Sequence, residues 1–167
     1  MTKLIPAHAE SPSRRKREVA APLGNPRSDR KLSALFIEVV LVAGPPCSGK
    51  STYVRDHARP GDLVLDWDRL NEAVSLEPNG DPRNRSLSWY ANTLFDAALA
   101  KLENDPEKIE KAWVVSCAPT PESRRKFEHR FNATVVVMET TKAECQKRLP
   151  ADRPYRRALQ LAIEAWR

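Results

Sequence analysis

Four short apolar runs mark out the chain: residues 36–43 (FIEVVLVA), 63–66 (LVLD), 112–117 (AWVVSC) and 134–138 (TVVVM). Each is rich in Val, too short for a helix and flanked by turn-forming residues, the pattern of a buried strand. Helical patterns fill the spaces between them. Residues 52–58 have helix-compatible composition, and Arg59-Pro60-Gly61 stops them. Leu87, Ala91, Leu94, Ala98 and Leu102, with Phe95 and Leu99 alongside, form a stripe at helical spacing over residues 86–103. Thr120-Pro121 supplies an N-cap and a first-turn proline for a helix over 122–130, and Thr141 with Glu144 makes a capping box for one ending near Leu149. A last amphipathic helix carries Tyr155, Leu159, Ala162, Ile163 and Trp166. Strand alternating with helix predicts an α/β domain over residues 32–167, three layers around a mostly parallel sheet, with no fifth strand visible.

Residues 1–31 do not share this pattern. They hold Pro6, Pro12, Pro22 and Pro26, the cluster Arg14-Arg15-Lys16-Arg17 and few large apolar residues, a composition unable to offset the entropy of folding. Of 28 Lys and Arg and 22 Asp and Glu, eight basic and three acidic residues fall in this arm, which leaves the body near neutrality at 20 and 19. A disordered basic arm is expected, either gripping DNA or RNA phosphates or serving as a plain solvated tail. Cys47, Cys117 and Cys145 lie far apart, as do His8, His57 and His129, so neither a disulfide framework nor a zinc site is indicated. No apolar stretch is long enough to span a membrane and the N-terminus lacks a signal segment. A soluble protein of the reducing cytoplasm is the expectation.

The first strand leads into Gly44-Pro45-Pro46-Cys47-Ser48-Gly49-Lys50-Ser51, which fits the phosphate-loop template G-x-x-x-x-G-K-[ST] without a gap. Strand, loop and helix in that order give the template its meaning, and two of the chain's five glycines are spent here. The loop from Gly44 through Thr52 is expected to cradle the phosphates of ATP at the helix N-terminus with the backbone N–H groups of its residues other than Pro45 and Pro46. Lys50 adds a charge for the β- and γ-phosphates, and the Ser51 hydroxyl is a candidate Mg²⁺ ligand. Cys47 stands where many such loops have Gly, so it is expected to carry a positive φ as a small filler.

The second run ends in Asp66-Trp67-Asp68. Ligands of open parallel sheets bind beyond the carboxyl ends of strands, which aims these acids at the transferred phosphate. Period-two alternation puts Asp66 and Asp68 on one side of the chain, Asp66 for Mg²⁺ or its waters and Asp68 for an acceptor proton. Away from a phosphate loop the same pair would read as a helix cap. Trp89 and Tyr90, early in the helical segment over residues 86–103, suit the core better than a base-stacking role.

Taken together, the loop, the acid-bearing second strand, the Pro121-Glu122-Ser123-Arg124-Arg125 helix start and a late arginine-bearing loop resemble the P-loop kinases of phage type, in particular the polynucleotide 5′-hydroxyl kinases. The resemblance spans about residues 36–156. It implies a P-loop kinase fold, ATP and Mg²⁺, a nucleic-acid or nucleotide acceptor, Asp68 as general base, and Arg148 and Arg153 as lid arginines. Cys117 stands where the bacteriophage enzyme has an acid, and Asn71 where it has a substrate-binding arginine. A shifted register would make Asp66 the base, with Arg69 behind it. The D-x-D pair is also similar to shikimate and gluconate kinases, so a small-molecule acceptor is the rival expectation. Kinases of hydroxymethylated pyrimidines in DNA share the layout, and an ATPase or nucleotide-binding accessory of phage DNA metabolism and a toxin-like kinase of a nucleotide sugar are further alternatives.

Overall fold

The computed structural model describes residues 37–75, 86–104, 109–151 and 156–167. In chain order these form β1 (Glu38–Ala43), α1 (Lys50–His57), β2 (Leu63–Asp66), α2 (Trp67–Ser75), α3 (Ser88–Asn104), β3 (Lys111–Ser116), α4 (Pro121–Phe131), β4 (Thr134–Val137), α5 (Lys142–Arg148) and α6 (Arg156–Ala165). The expected arm lies outside the described residues, as does Arg153. Among the described residues no helix is long and apolar enough to cross a membrane.

All four strands are parallel, in the order β2-β3-β1-β4. The uninterrupted apolar run of β1 has a direct cause. Val39, Leu41 and Ala43 enter one core with Leu65, Leu99, Leu102, Ala112, Val114 and Phe131, while Val40 and Val42 enter a second with Val54, Trp113 and Val115. The sheet is therefore covered on both faces, by α3 and α4 on one and α1 on the other, which is the three-layer arrangement. The two capping predictions hold at atomic detail. Ser123 N–H donates to Thr120 Oγ1 at 3.1 Å and Glu144 N–H to Thr141 Oγ1 at 3.2 Å, each with the reciprocal bond of a capping box.

Two expectations for the helical segment over residues 86–103 fail. Ala91, Leu99 and Leu102 are buried, with Phe95 and Ala98 packed against the same core, whereas Leu94 is largely exposed. The stripe is real but turned away from Leu94. Trp89 and Tyr90 are not core residues either: they are 75% and 62% exposed.

The strand order fixes where a ligand sits. From β1 the chain moves to the β2 edge and returns to β3, and from β3 it crosses over β1 to β4. The crevice at such a reversal opens at the carboxyl ends of the strands. Asp66 is level with Val115 and Ala43 with Ser116, so the ends of β1, β2 and β3 reach one rim together.

Candidate active site

The loop after β1 is shaped by two residues in the left-handed region, Cys47 at φ 63° and Gly49 at φ 96°. Cys47 thus takes the conformation expected of it, a mild strain for a residue with a Cβ. α1 starts after Gly49 with no side-chain cap. Its first-turn N–H groups, which have no carbonyl one turn earlier, point out of the loop as an anion cradle. Lys50 Nζ donates to the carbonyls of Gly44 at 3.0 Å and Pro45 at 2.8 Å, which holds its charge across the loop.

The back of the loop is fastened by a segment that sequence patterning gave no reason to single out. Met138 N–H donates to Ala43 O at 2.8 Å, and Thr140 Oγ1 donates to Ser48 O at 2.8 Å. Gly44 is held close beneath them. A Cβ built there would meet Ser48 Oγ at 2.6 Å and Met138 Cβ at 2.9 Å. The Met138 atom lies next to its backbone and has little room to withdraw, so Gly44→Ala is expected to shift the loop off β4. A loss of about 1–3 kcal/mol, read from thermal or denaturant unfolding, is the expected result, with weakened nucleotide binding beside it.

At the end of β2, Asp66 is 4% exposed. Its Oδ2 accepts from Ser51 Oγ at 2.7 Å, and its Oδ1 accepts from Asp68 N–H at 3.1 Å. One carboxylate thus serves as the loop serine's partner and as the cap of α2, the use expected of such a pair away from a phosphate loop. The geometry corrects the period-two argument: α2 begins at Trp67, so Asp68 stands in a helical first turn rather than on a strand. The two acids nevertheless border the same cavity.

That cavity, of about 830 Å³, is bounded by Pro46, Cys47 and Gly49 through Thr52 of the loop, Asp66, Trp67 and Asp68, Val115, Ser116 and Cys117 after β3, Asn92 and Phe95 of α3, and Arg148, Pro150 and Leu159. Its volume suits a nucleotide-sized ligand. Trp67 Nε1 donates to Asn92 Oδ1 at 2.6 Å, which ties α3 to the acid-bearing turn. Arg148 enters from the last turn of α5, and Arg156 Nη1 fixes the segment beyond it by donating to Leu149 O at 2.7 Å and Pro150 O at 2.8 Å. Asn71 is buried, 1% exposed, on the inner face of α2 and lines no part of the cavity.

The segment after β3 is clamped from the last helix. Trp166 Nε1 donates to Cys117 O at 2.8 Å, and Arg124 Nη1 donates to Ala118 O at 2.9 Å with its guanidinium 4.9 Å over the Trp166 ring. Ala118 is held at φ 34°. Cys117 is exposed at the cavity rim, yet the desolvation of its sulfur pushes the thiol above its ordinary range; the Lys50 charge opposes this and Asp68 adds to it. A neutral group therefore faces the cavity where the kinase resemblance puts an acid.

Mg²⁺ coordination fits two oxygens here, Ser51 Oγ and Asp66 Oδ2. Among the described residues no group of three or more His, Cys, Asp or Glu is placed to hold a metal. An ion bound at this serine and carboxylate would draw its remaining ligands from phosphate and water, as Mg²⁺ does in phosphoryl-transfer sites.

No protein-family model matches the chain, and no curated protein is significantly similar to it. Solved structures do share its fold. A chain of the "Pnkp1/Rnl/Hen1 RNA repair complex" superposes at TM-score 0.56 with 14% identity over 78% of this chain, and one of the "Pnkp1/Rnl/Hen1 complex" at 0.50 with 17% identity over 70%. This chain spans 44% and 40% of those chains. The fold is kinase-like. At such identities the likeness concerns the fold alone, and nothing in it singles out the phage type.

Proposed function

We propose that this domain is an ATP-dependent phosphotransferase that moves the γ-phosphoryl group to a hydroxyl of a nucleic acid or nucleotide, either a 5′-hydroxyl or a hydroxymethylated base. The supporting observation is the 2.7 Å Ser51–Asp66 hydrogen bond beside an uncapped helix start, in one cavity with Asp68. The fold-level likeness to chains of an RNA repair complex agrees with this acceptor class.

The roles follow from position. First-turn amides of α1 and Lys50 hold the phosphate chain, and Lys50 and Arg148 offset charge that develops on the transferring group. Arg153 is assigned a second lid charge on the resemblance. Mg²⁺ at Ser51 and Asp66 would screen the β- and γ-oxygens. Asp68 orients an acceptor hydroxyl and takes its proton. Asp66 is held by Ser51 and by the α2 cap, and Asp68 is assigned the base on the kinase resemblance. The test is γ-labelled ATP offered with 5′-hydroxyl DNA and RNA, hydroxymethylated DNA, nucleosides and sugars. Label on a nucleic-acid hydroxyl is expected. Label on sugars alone would favour a small-molecule kinase, and release to water alone an ATPase.

Residues 1–31 form, in this proposal, a basic arm outside the kinase domain of residues 32–167. Deleting the arm removes eight positive charges, so KM for a DNA acceptor should rise and lose most of its salt dependence between about 50 and 200 mM. Saturated turnover should survive, because the candidate site residues all lie beyond the deletion. An unchanged KM and salt slope would leave the arm a plain tail.

A further inference from the structure

The first two turns of α3 present an uncharged surface that the fold does not use. Residues 86–95 read SLSWYANTLF, with no acid or base among them. One side of this segment, through Ala91 and Phe95, packs inward. Going around the helix from the cavity-lining Asn92, the outward positions are Trp89, Thr93, Tyr90 and Leu94 at successive steps of 100° or less. Trp89 therefore flanks Asn92 on the cavity side, and Tyr90 stands two steps farther round, beyond Thr93. There it borders a mainly apolar groove of about 360 Å³ with Val74, Leu87, Thr93 and Leu94. The two rings are 75% and 62% exposed, and among the described residues neither side chain makes a hydrogen bond or ring contact.

We propose that Trp89 and Tyr90 form a stacking track for the bases of a single-stranded nucleic-acid acceptor as it leaves the cavity. The inference rests on the functional reading above and adds the path of the acceptor strand. Three features select this occupant. The band is continuous with the cavity wall through Asn92, which the Trp67 indole holds in place at 2.6 Å. It contains no carboxylate that would repel a phosphate backbone. It also offers aromatic faces, which every base can use irrespective of sequence. The terminal nucleoside would occupy the cavity between Phe95 and Asp68, the next base would meet Trp89, and a later one Tyr90.

Acceptor length separates these positions. KM and kcat are measured for a nucleoside 3′-phosphate, a dinucleotide and a hexanucleotide with a 5′-hydroxyl, for the parent, Trp89→Ala and Tyr90→Ala. Leu161→Ala, which alters an exposed apolar residue on α6, is the control. Stacking losses predict that Trp89→Ala raises KM about fivefold or more for the dinucleotide and hexanucleotide, and Tyr90→Ala for the hexanucleotide alone. The nucleoside 3′-phosphate KM and the ATP KM should move less than twofold, as should all constants of Leu161→Ala. The tryptophan quenching that unlabelled hexanucleotide adds beyond that of a nucleoside 3′-phosphate, which reports on Trp67 in the cavity, should be lost in Trp89→Ala and gives a readout independent of turnover. If the parent phosphorylates oligonucleotides but Trp89→Ala leaves their KM unchanged, the track is overturned while the kinase reading stands. If the parent neither phosphorylates nor binds them, the track is overturned, and the kinase reading falls with it only if no acceptor in the wider panel takes the label. Should Trp89→Ala instead abolish self-association in sedimentation with oligonucleotide KM unchanged, the face belongs to a second copy and the track is overturned.

Discussion

Lys50→Ala should reduce phosphoryl transfer by two orders of magnitude or more and weaken ATP binding, with the fold retained. The Nζ group lies 3.0 and 2.8 Å from the Gly44 and Pro45 carbonyls, so it occupies the mouth of the loop without supporting the sheet. The loop's shape depends on other contacts: the left-handed turns at Cys47 and Gly49, the Thr140 hydroxyl on Ser48 O, and Met138 on Ala43 O. Removing the ammonium therefore leaves a cradle of amides with no mobile charge for the β- and γ-phosphates. Lys50→Arg is expected to restore little, because a planar guanidinium is longer than an ammonium and cannot act as the same point charge. Turnover, ATP affinity and melting temperature measured together decide the matter. Turnover of Lys50→Ala within threefold of the parent, with the melting temperature retained, would remove the phosphate-loop reading.

How much of this was legible depends on how far apart the cooperating residues lie. The loop declares itself because its template is contiguous, and β1 and α1 on either side need only their own composition. The sheet's parallel character was legible for a similar reason: a strand buried on both faces must be apolar at every position, as Val39 through Ala43 are. The Asp66–Asp68 pair was found for the right location but with the wrong local geometry. Sequence alternation assumed an extended chain, whereas Asp66 itself ends the strand by capping α2. Trp89 and Tyr90 were misjudged because periodicity reports which side chains are apolar and leaves open which side of the helix meets the sheet. Ala98 and Leu99 pack on the sheet core and Ala91 is fully buried, which turns both rings outward.

Residues that act across long sequence separations had no local signal at all. Thr140 reaches Ser48 across 92 positions, and Trp166 reaches Cys117 across 49. Trp166 was seen only as part of an amphipathic stripe, and Arg124 only through the kinase resemblance. Their joint hold on residues 117 and 118 emerges once α6 is packed against the rim. Such contacts follow from topology, which one-dimensional spacing does not encode.

The two acids provide the other large effect, and their different surroundings predict different phenotypes. Asp68→Asn keeps the size of the side chain and its place in the first turn of α2 but removes the proton acceptor, so kcat should fall about 10²-fold or more while the ATP KM stays close to that of the parent. Asp66→Asn acts elsewhere. Its remaining carbonyl oxygen can still accept from Asp68 N–H, and Asn is as good a helix cap as Asp, so unfolding is not the expected outcome. What changes is the group facing Ser51 Oγ, which loses its negative charge. The Mg²⁺ concentration giving half-maximal rate should therefore rise severalfold, and turnover should recover at high Mg²⁺, a recovery Asp68→Asn cannot show. Titrating Mg²⁺ at saturating ATP for the two variants and the parent separates the roles. A Mg²⁺-rescued Asp68→Asn beside an Asp66→Asn with unrecoverable kcat would reverse the assignment, making Asp66 the base with Arg69 behind it. That outcome would require Asp66 to exchange its hydrogen bond to Ser51 for one to the acceptor during turnover. Its 4% exposure makes such an exchange costly, because the carboxylate would leave a site in which both oxygens are already satisfied.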